Sequence, residues 1–295
     1  MAISFTPLHP LFAAEVSGID IAAPLTPEDA AAIDAGMDQY AVLVFRRAVP
    51  LSTDAQVAFS RGLGPLEDVA YTAIKAGKEA RLADPHVSDI SNLGADSALL
   101  ERDNRRRLFM LGNRLWHSDS SYKATPAKYS LLSAHVVPPQ GGDTEFADMR
   151  AAWDALPDWE KDQARHLVCR HSRLFSKGTL GFDFTEAEKT AFAPVPQRLV
   201  RRHPGSGRLS LFLSSHIGAI DGMSKPEALM LLRDLTEHAT QRGFVYAHRW
   251  RVGDLVMWDN RCTMHRGRNY DDARYPRDLR RTTLTDAAPT LEQAA

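Results

Sequence analysis

The chain has 295 residues, 44 % of them hydrophobic and 25 % charged, the composition of a globular protein with a sizeable core. A formal net charge of -1 argues against a nucleic-acid or membrane-surface partner, both of which require a concentrated basic excess, so any basic chemistry must be local. The only cysteines, Cys169 and Cys262, are too few for a disulfide framework and suit a reducing compartment. Residues 1–7 lack the basic start and apolar run of an export signal, and no stretch reaches membrane-spanning length, so a cytoplasmic location is expected. No shift in composition marks a boundary, and residues 1–295 read as a single domain whose homo-oligomerisation is left open.

In chain order, Thr26-Pro27-Glu28-Asp29 places a capping hydroxyl before a proline at the first helical position and predicts a helix to about Tyr40. Residues 41–45 form an apolar strand candidate. Thr53 with Gln56 reads as a capping box for a helix through Gly62. The stretch from about 71 to 107 has little periodicity and reads as an irregular lid or binding loop. Lys75 is its most interesting cation, whereas Arg102, Arg105, Arg106 and Arg107 read as a solvated face of that lid.

Further strands are predicted over 129–137, 209–213, 254–258 and 277–284. The Pro and Gly of His203-Pro204-Gly205-Ser206-Gly207-Arg208 predict a hairpin. Ser224 with Glu227 predicts a capped helix to about Gln241, with Leu229, Leu232 and Leu235 facing a core. Many short strands with helices at the ends and between them suggest a mainly β fold with flanking helices, a double-stranded β-helix or jelly roll.

The chemistry centres on Trp116-His117-Ser118-Asp119-Ser120. Residues two apart on an extended strand point to the same side, so His117 and Asp119 can reach one ion. His265, delivered by the apolar run 255–258, can complete the set. Two imidazoles and one carboxylate occupy one face of an octahedron on Fe(II) and leave positions for a chelating cosubstrate and O2. Arg277 and Arg281 would share one strand face and aim two planar forks toward the metal. One can hold the distal carboxylate of 2-oxoglutarate and the other an acidic small-molecule substrate. Structural zinc wants several Cys or His at close spacing, a cluster that Cys262 lacks, so it reads as a buried thiol. His135, His166, His171, His203, His216, His238 and His248 read as core or surface histidines.

Longer stretches carry a family resemblance. His117-Ser118-Asp119, Gly141-Gly142-Asp143-Thr144-Glu145-Phe146, the run from Trp258 to His265, and Arg277 with Arg281 resemble the taurine dioxygenase superfamily of Fe(II)/2-oxoglutarate enzymes. Within it, His9-Pro10-Leu11-Phe12-Ala13-Ala14, Leu115 to Ser121, Phe146 to Ala152 and Gly253 to Arg268 are similar to the 2,4-dichlorophenoxyacetate (aryloxyalkanoate) dioxygenases. The resemblance implies a jelly-roll core and His117, Asp119 and His265 as iron ligands. It also implies Thr144 and Arg277 on the cosubstrate carboxylate, and Arg281 and Lys75 on the substrate carboxylate. The interval between His265 and the arginines is slightly longer than the family spacing, which leaves Arg274 and Arg280 as alternatives.

The implied reaction hydroxylates the methylene of an aryloxyacetate. The resulting hemiacetal collapses to a phenol and glyoxylate, while 2-oxoglutarate and O2 give succinate and CO2. Tyr71, Ile74, Leu111 and Leu115 are the expected apolar walls. The same cofactors could serve a sulfonate, an alkyl sulfate or another carboxylate. A zinc hydrolase would use the same three ligands but leaves the arginine pair unexplained, and an inactive binding module would bind an acidic ligand without turnover.

Overall fold

The structure is a computed structural model describing residues 2–68 and 81–293. Its largest sheet orders its strands β1 (Ser4–Pro7), β2 (Ala14–Ser17), β3 (Val42–Phe45), β13 (Leu255–Asp259), β5 (Ala127–Val136), β15 (Asp278–Thr285) and β4 (Ser88–Ser91). The β2–β3 pair is parallel and the other neighbours are antiparallel. A second sheet runs β12 (Val245–His248), β6 (Thr144–Asp148), β14 (Thr263–Gly267), and a third runs β11 (Ile217–Ile220), β7 (Val168–His171), β8 (Val195–Arg198). The hairpin predicted around 203–208 joins β9 (Val200–Arg202) to β10 (Leu209–Leu211).

Strand alternation sends the large sheet's side chains to two cores. Leu43, Phe45, Leu131, Leu255 and Met257 pack with Ile33 and Met37 of helix α1 (Pro27–Tyr40) and Phe59 of helix α2 (Thr53–Arg61). On the opposite face Val42, Val44, Leu132, Val256, Trp258 and Leu279 meet Phe146 of β6 and Trp250. Each such fully buried side chain contributes about 1.5–3 kcal/mol, against roughly 0–1 kcal/mol for an exposed ion pair. These two cores, rather than the surface ion pairs, hold the sheet that carries Arg281.

The α1 cap forms as expected, with Thr26 Oγ1 accepting from Asp29 N at 3.1 Å. The second helix is capped differently, because Ser52 accepts from Ala55 N. Gln56 is fully buried and donates to Leu131 O at 3.2 Å and Arg280 O at 3.0 Å, while its Oε1 accepts from Ser133 Oγ at 2.6 Å. It ties β5 to β15 instead of closing a capping box. The Ser224–Glu227 box is present on the helix Lys225–Ala239, but Leu229 is 43 % exposed. The buried positions are Ala228, Leu232, Leu235 and Ala239, and a residue one step past Ala228 is turned 100° off that stripe.

Within the stretch read as an irregular lid, Ser88–Ser91 is a strand on the edge of the large sheet, paired with β15. Arg81 fastens it, donating to Asp89 Oδ1 at 2.8 Å and Asp278 Oδ1 at 2.7 Å. A four-residue strand with two polar ends carries too little alternation to be recognised from sequence. No helix among the described residues is long and apolar enough to cross a membrane.

Candidate active site

His117 and His265 face each other across an isolated antiparallel bridge, with His117 N donating to His265 O at 3.0 Å and His265 N to His117 O at 2.8 Å. The expected extended strand is reduced to this bridge, because Asp119 already lies in the following turn and Ser120 has φ +52°. Alternation still holds over the tripeptide. Ser118 turns away to donate to Thr263 O at 3.0 Å, leaving His117 and Asp119 together.

The ligating atoms of His117, Asp119 and His265 all lie within 4.8 Å of one another, and all three residues are buried. His117 Nε2 is 3.9 Å from Asp119 Oδ1 and His265 Nε2 is 3.8 Å from Asp119 Oδ2, too far for hydrogen bonds. The donors therefore converge without satisfying one another, which suits a shared cation. His117 Nδ1 lies 2.7 Å from Leu115 O. A carbonyl only accepts, so the proton sits on Nδ1 and the Nε2 lone pair faces the centre.

Electrostatics favour the ligating protonation states. Burial pulls the His117 pKa down, against the pull of Asp119, and burial with the neighbouring His117 pulls His265 well down, so both imidazoles are neutral near pH 7. Burial alone would raise the Asp119 carboxyl, but Arg281 and the two imidazoles hold it far below the usual range. Asp119 Oδ2 accepts from Ser130 Oγ at 2.8 Å and its backbone N–H donates to Asn260 Oδ1 at 3.0 Å. The indole N–H of Trp258 orients that amide from 3.0 Å.

A cavity beside the two imidazoles is lined by Thr144, Leu132, Trp258, Tyr270, Arg277 and Arg281, among others. Arg277 and Arg281 both line the cavity, with Leu279 in the core cluster, but Arg277 stands just before β15, whose register shifts between Asp278 and Leu279. Arg281 Nη1 donates to Asp119 Oδ1. Arg277 Nη2 donates to Gly142 O at 3.1 Å, and its Nε is buried without a partner. Its surroundings hold so little compensating charge that burial lowers its pKa to about 10. A guanidinium in this state, lining the same cavity as Thr144, has the chemistry to pair with a carboxylate.

The other two arginines are elsewhere. Arg280 turns outward to Thr53 Oγ1 and Asp278, and Arg274 lies over Tyr275 in a separate surface hollow. Gly142 has φ +74°, and an added Cβ would stand 3.0 Å from Pro138 Cγ and 3.4 Å from Arg277 Nε. The double glycine therefore lets the backbone approach Arg277 closely.

Residues 4–283 match the family described as taurine catabolism dioxygenase TauD, TfdA family. The chain belongs to this family. It is 50 % identical to the alpha-ketoglutarate-dependent 2,4-dichlorophenoxyacetate dioxygenase of Cupriavidus pinatubonensis, over 98 % of this chain and 99 % of that protein. It is 38 % identical to the (S)-phenoxypropionate/alpha-ketoglutarate-dioxygenase of Sphingobium herbicidovorans, over 92 % and 91 %. Among solved structures it is similar to AAD-2 in complex with Mn(II) and N-oxalylglycine, at 51 % identity and a TM-score of 0.91, covering 99 % and 100 % of the two chains. As a TauD/TfdA protein it is an alpha-ketoglutarate-dependent dioxygenase that works with a bound metal.

Lys75, Tyr71 and Ile74 lie outside the described residues. Leu111 lines the cavity, whereas Leu115 contributes its carbonyl to His117. Arg107 is not a solvated residue: it lines the cavity and donates to Asp272 Oδ1 at 2.9 Å. Arg106 donates to Leu93 O at 2.9 Å. His216 is a buried core histidine, as read from the sequence, with Nδ1 2.8 Å from Ser176 Oγ and its ring centroid 6.0 Å from that of His117.

Asn92 was not foreseen. Its amide donates to Asp272 O at 2.9 Å and Tyr275 O at 3.0 Å, and its Oδ1 accepts from Arg277 N at 2.8 Å. His203 lies beside Asp259 and Cys262, close enough for a second cation site. However, Asp259 already accepts from Arg261 Nε, Arg261 Nη2 and His203 Nε2 at 2.6–2.9 Å. That ion pair holds the turn between β13 and β14, and Cys262 remains a buried thiol.

Proposed function

We propose that this dioxygenase hydroxylates an aryloxyacetate such as 2,4-dichlorophenoxyacetate at its methylene, giving a phenol and glyoxylate. The observation that carries this reading is the convergence of His117, Asp119 and His265 beside a cavity whose charged lining holds Arg107, Arg114, Arg268, Arg277 and Arg281 against Asp272. In a chain of net charge -1, such local basicity fits a site for two anions, cosubstrate and substrate. The names of the 50 % and 38 % identical relatives support aryloxyalkanoates as the second anion.

In this reading His117, Asp119 and His265 hold Fe(II), the fit to the ion being three converging donors that do not hydrogen-bond one another. When bound, the iron with 2-oxoglutarate and O2 supplies the oxidation of the C–H bond, with succinate and CO2 as co-products. The chain's own residues fix the geometry. Arg277 and Thr144 hold the far carboxylate of 2-oxoglutarate, and Arg281, with Lys75, holds the substrate carboxylate so that the methylene faces the metal. The neutral imidazoles and the ionised Asp119 keep the ligands ready at neutral pH.

The same reading takes residues 1–295 as one jelly-roll domain, a double-stranded β-helix, with a lid at about 71–107, in the cytoplasm. Turnover of a panel containing 2,4-dichlorophenoxyacetate, 2-phenoxypropionates, an alkyl sulfate and taurine tests the substrate. Phenol and succinate in equal amounts from the aryloxy acids are expected. Succinate produced only with the sulfur-containing anions would replace the substrate while keeping the cofactor chemistry.

A further inference from the structure

Thr144 opens β6, directly opposite His248 of β12 in the ladder. Two residues past His248, the Trp250 side chain folds back, and its indole N–H donates to Thr144 Oγ1 at 3.0 Å with both groups buried. A threonine hydroxyl has one proton to give and two lone pairs, whereas an indole nitrogen can only donate. With one lone pair held by Trp250, the hydroxyl proton cannot turn toward the indole. It is left to point into the cavity that Thr144 lines with Arg277.

The indole is itself clamped. His248 packs against it edge-on, with ring centroids 4.7 Å apart and planes at 82°. His248 Nε2 lies 3.0 Å from Asp254 Oδ2, which also accepts from Arg46 Nη1 at 2.5 Å and Arg251 N at 2.8 Å. Tyr246 Oη sits 3.2 Å from His248 Nδ1 and completes the ring's hydrogen bonding. Tyr246 also stacks on Phe146, which in turn stacks on His265, whereas the hydrogen bond from the indole of Trp250 goes to the Thr144 hydroxyl.

We infer that Trp250 is a positioning residue for the cosubstrate: its N–H fixes the Thr144 hydroxyl as a donor aimed at the distal carboxylate of 2-oxoglutarate. This rests on the assignment of Thr144 to that carboxylate. The effect is confined to ligands that carry a distal carboxylate, because Trp250 acts through that one oxygen.

Calorimetric binding of 2-oxoglutarate and of pyruvate, which lacks the distal carboxylate, to the Zn(II)-loaded chain tests the inference in a double-mutant cycle. Loss of one neutral hydrogen bond corresponds to roughly 3- to 10-fold in affinity. Trp250→Phe is expected to weaken 2-oxoglutarate binding by that factor when Thr144 is present, to leave pyruvate unchanged, and to have no further effect in Thr144→Val. With Fe(II), the 2-oxoglutarate KM rises while kcat is kept. Equal losses in both Thr144 backgrounds, or none in either, would overturn the role of Trp250. Normal 2-oxoglutarate binding by Thr144→Val would instead overturn the assignment of Thr144, and the inference with it.

If Trp250→Phe does not fold, indole 15N–1H resonances carry the test. The resonance displaced by Thr144→Val must also move when 2-oxoglutarate is added to the unsubstituted Zn(II)-loaded chain, and its remaining still overturns the inference.

Discussion

Arg281 donates through Nη1 to Asp119 Oδ1 at 2.5 Å, so the side chain assigned to the substrate carboxylate also steadies a ligand of the metal. Partners of this kind commonly change metal affinity 10- to 100-fold when removed. Arg281→Ala is therefore expected to weaken Mn(II) binding by about 10-fold and to raise the substrate KM, with Arg281→Lys partly restoring metal binding. Metal titration followed by electron paramagnetic resonance measures the first effect. Unchanged affinity would show that Asp119 is held well enough by Ser130 and Asn260 alone.

Arg277 lines the cavity and its buried Nε has no hydrogen-bond partner among the described residues. Charge-assisted hydrogen bonds contribute about 1.5–3 kcal/mol each, so loss of a two-pronged contact amounts to at least about 10²-fold. Arg277→Ala should raise the 2-oxoglutarate KM by that factor and leave pyruvate binding nearly untouched, as read by calorimetry. An equal loss for pyruvate would mean that Arg277 supports the fold of the pocket and not the distal carboxylate.

Asn92 makes three hydrogen bonds to the backbone of residues 272–277. Asn92→Ala is expected to free that segment, raising the 2-oxoglutarate KM several-fold and lowering Tm by a few degrees. Hydrogen exchange at Arg277 N, which donates to Asn92 Oδ1, should accelerate. Retained protection there would contradict the role given to Asn92.

His171 is fully buried, stacked on Phe212 at 5.6 Å, and neither ring nitrogen has a partner among the described residues. Burial lowers its pKa to about 3 from 6.5. Between those values the unfolded chain binds the proton and the folded chain does not, so His171 lowers stability progressively as pH falls from about 6.5 toward 3. His171→Phe should remove part of this loss, on the order of a few kcal/mol at the acid end. Denaturant unfolding at pH 7.5 and pH 5 measures it, and an identical pH slope in the variant would refute it.

The metal triad was legible because two of its donors stand two residues apart; the third, expected from the apolar run 255–258, sits instead in the middle of the next strand, β14. Arg281 lines the cavity from β15 as the alternation with Leu279 predicts, whereas Arg277 lines it from just before the strand, across a register shift between Asp278 and Leu279. Gln56 was misread because a Thr-x-x-Gln pattern looks identical whether the amide turns back to the helix end or reaches across two strands. Leu229 failed by one helical step. Arg107, Asn92 and Trp250 could not be found by spacing. Each acts across a long sequence separation, such as Asn92 on residues 272–277, and only the folded chain brings the partners together.

The central claim is that His117, Asp119 and His265 hold one ferrous ion for a 2-oxoglutarate-dependent oxidation. The most direct measurement is anaerobic Fe(II) titration of the chain and of His117→Ala, Asp119→Ala and His265→Ala, followed by exposure to O2 with 2-oxoglutarate and 2,4-dichlorophenoxyacetate. One tightly bound iron per chain, with equimolar succinate and phenol, is predicted for the unsubstituted protein, and loss of both iron and products in each variant. Full iron binding and turnover in any one of the three variants would contradict it.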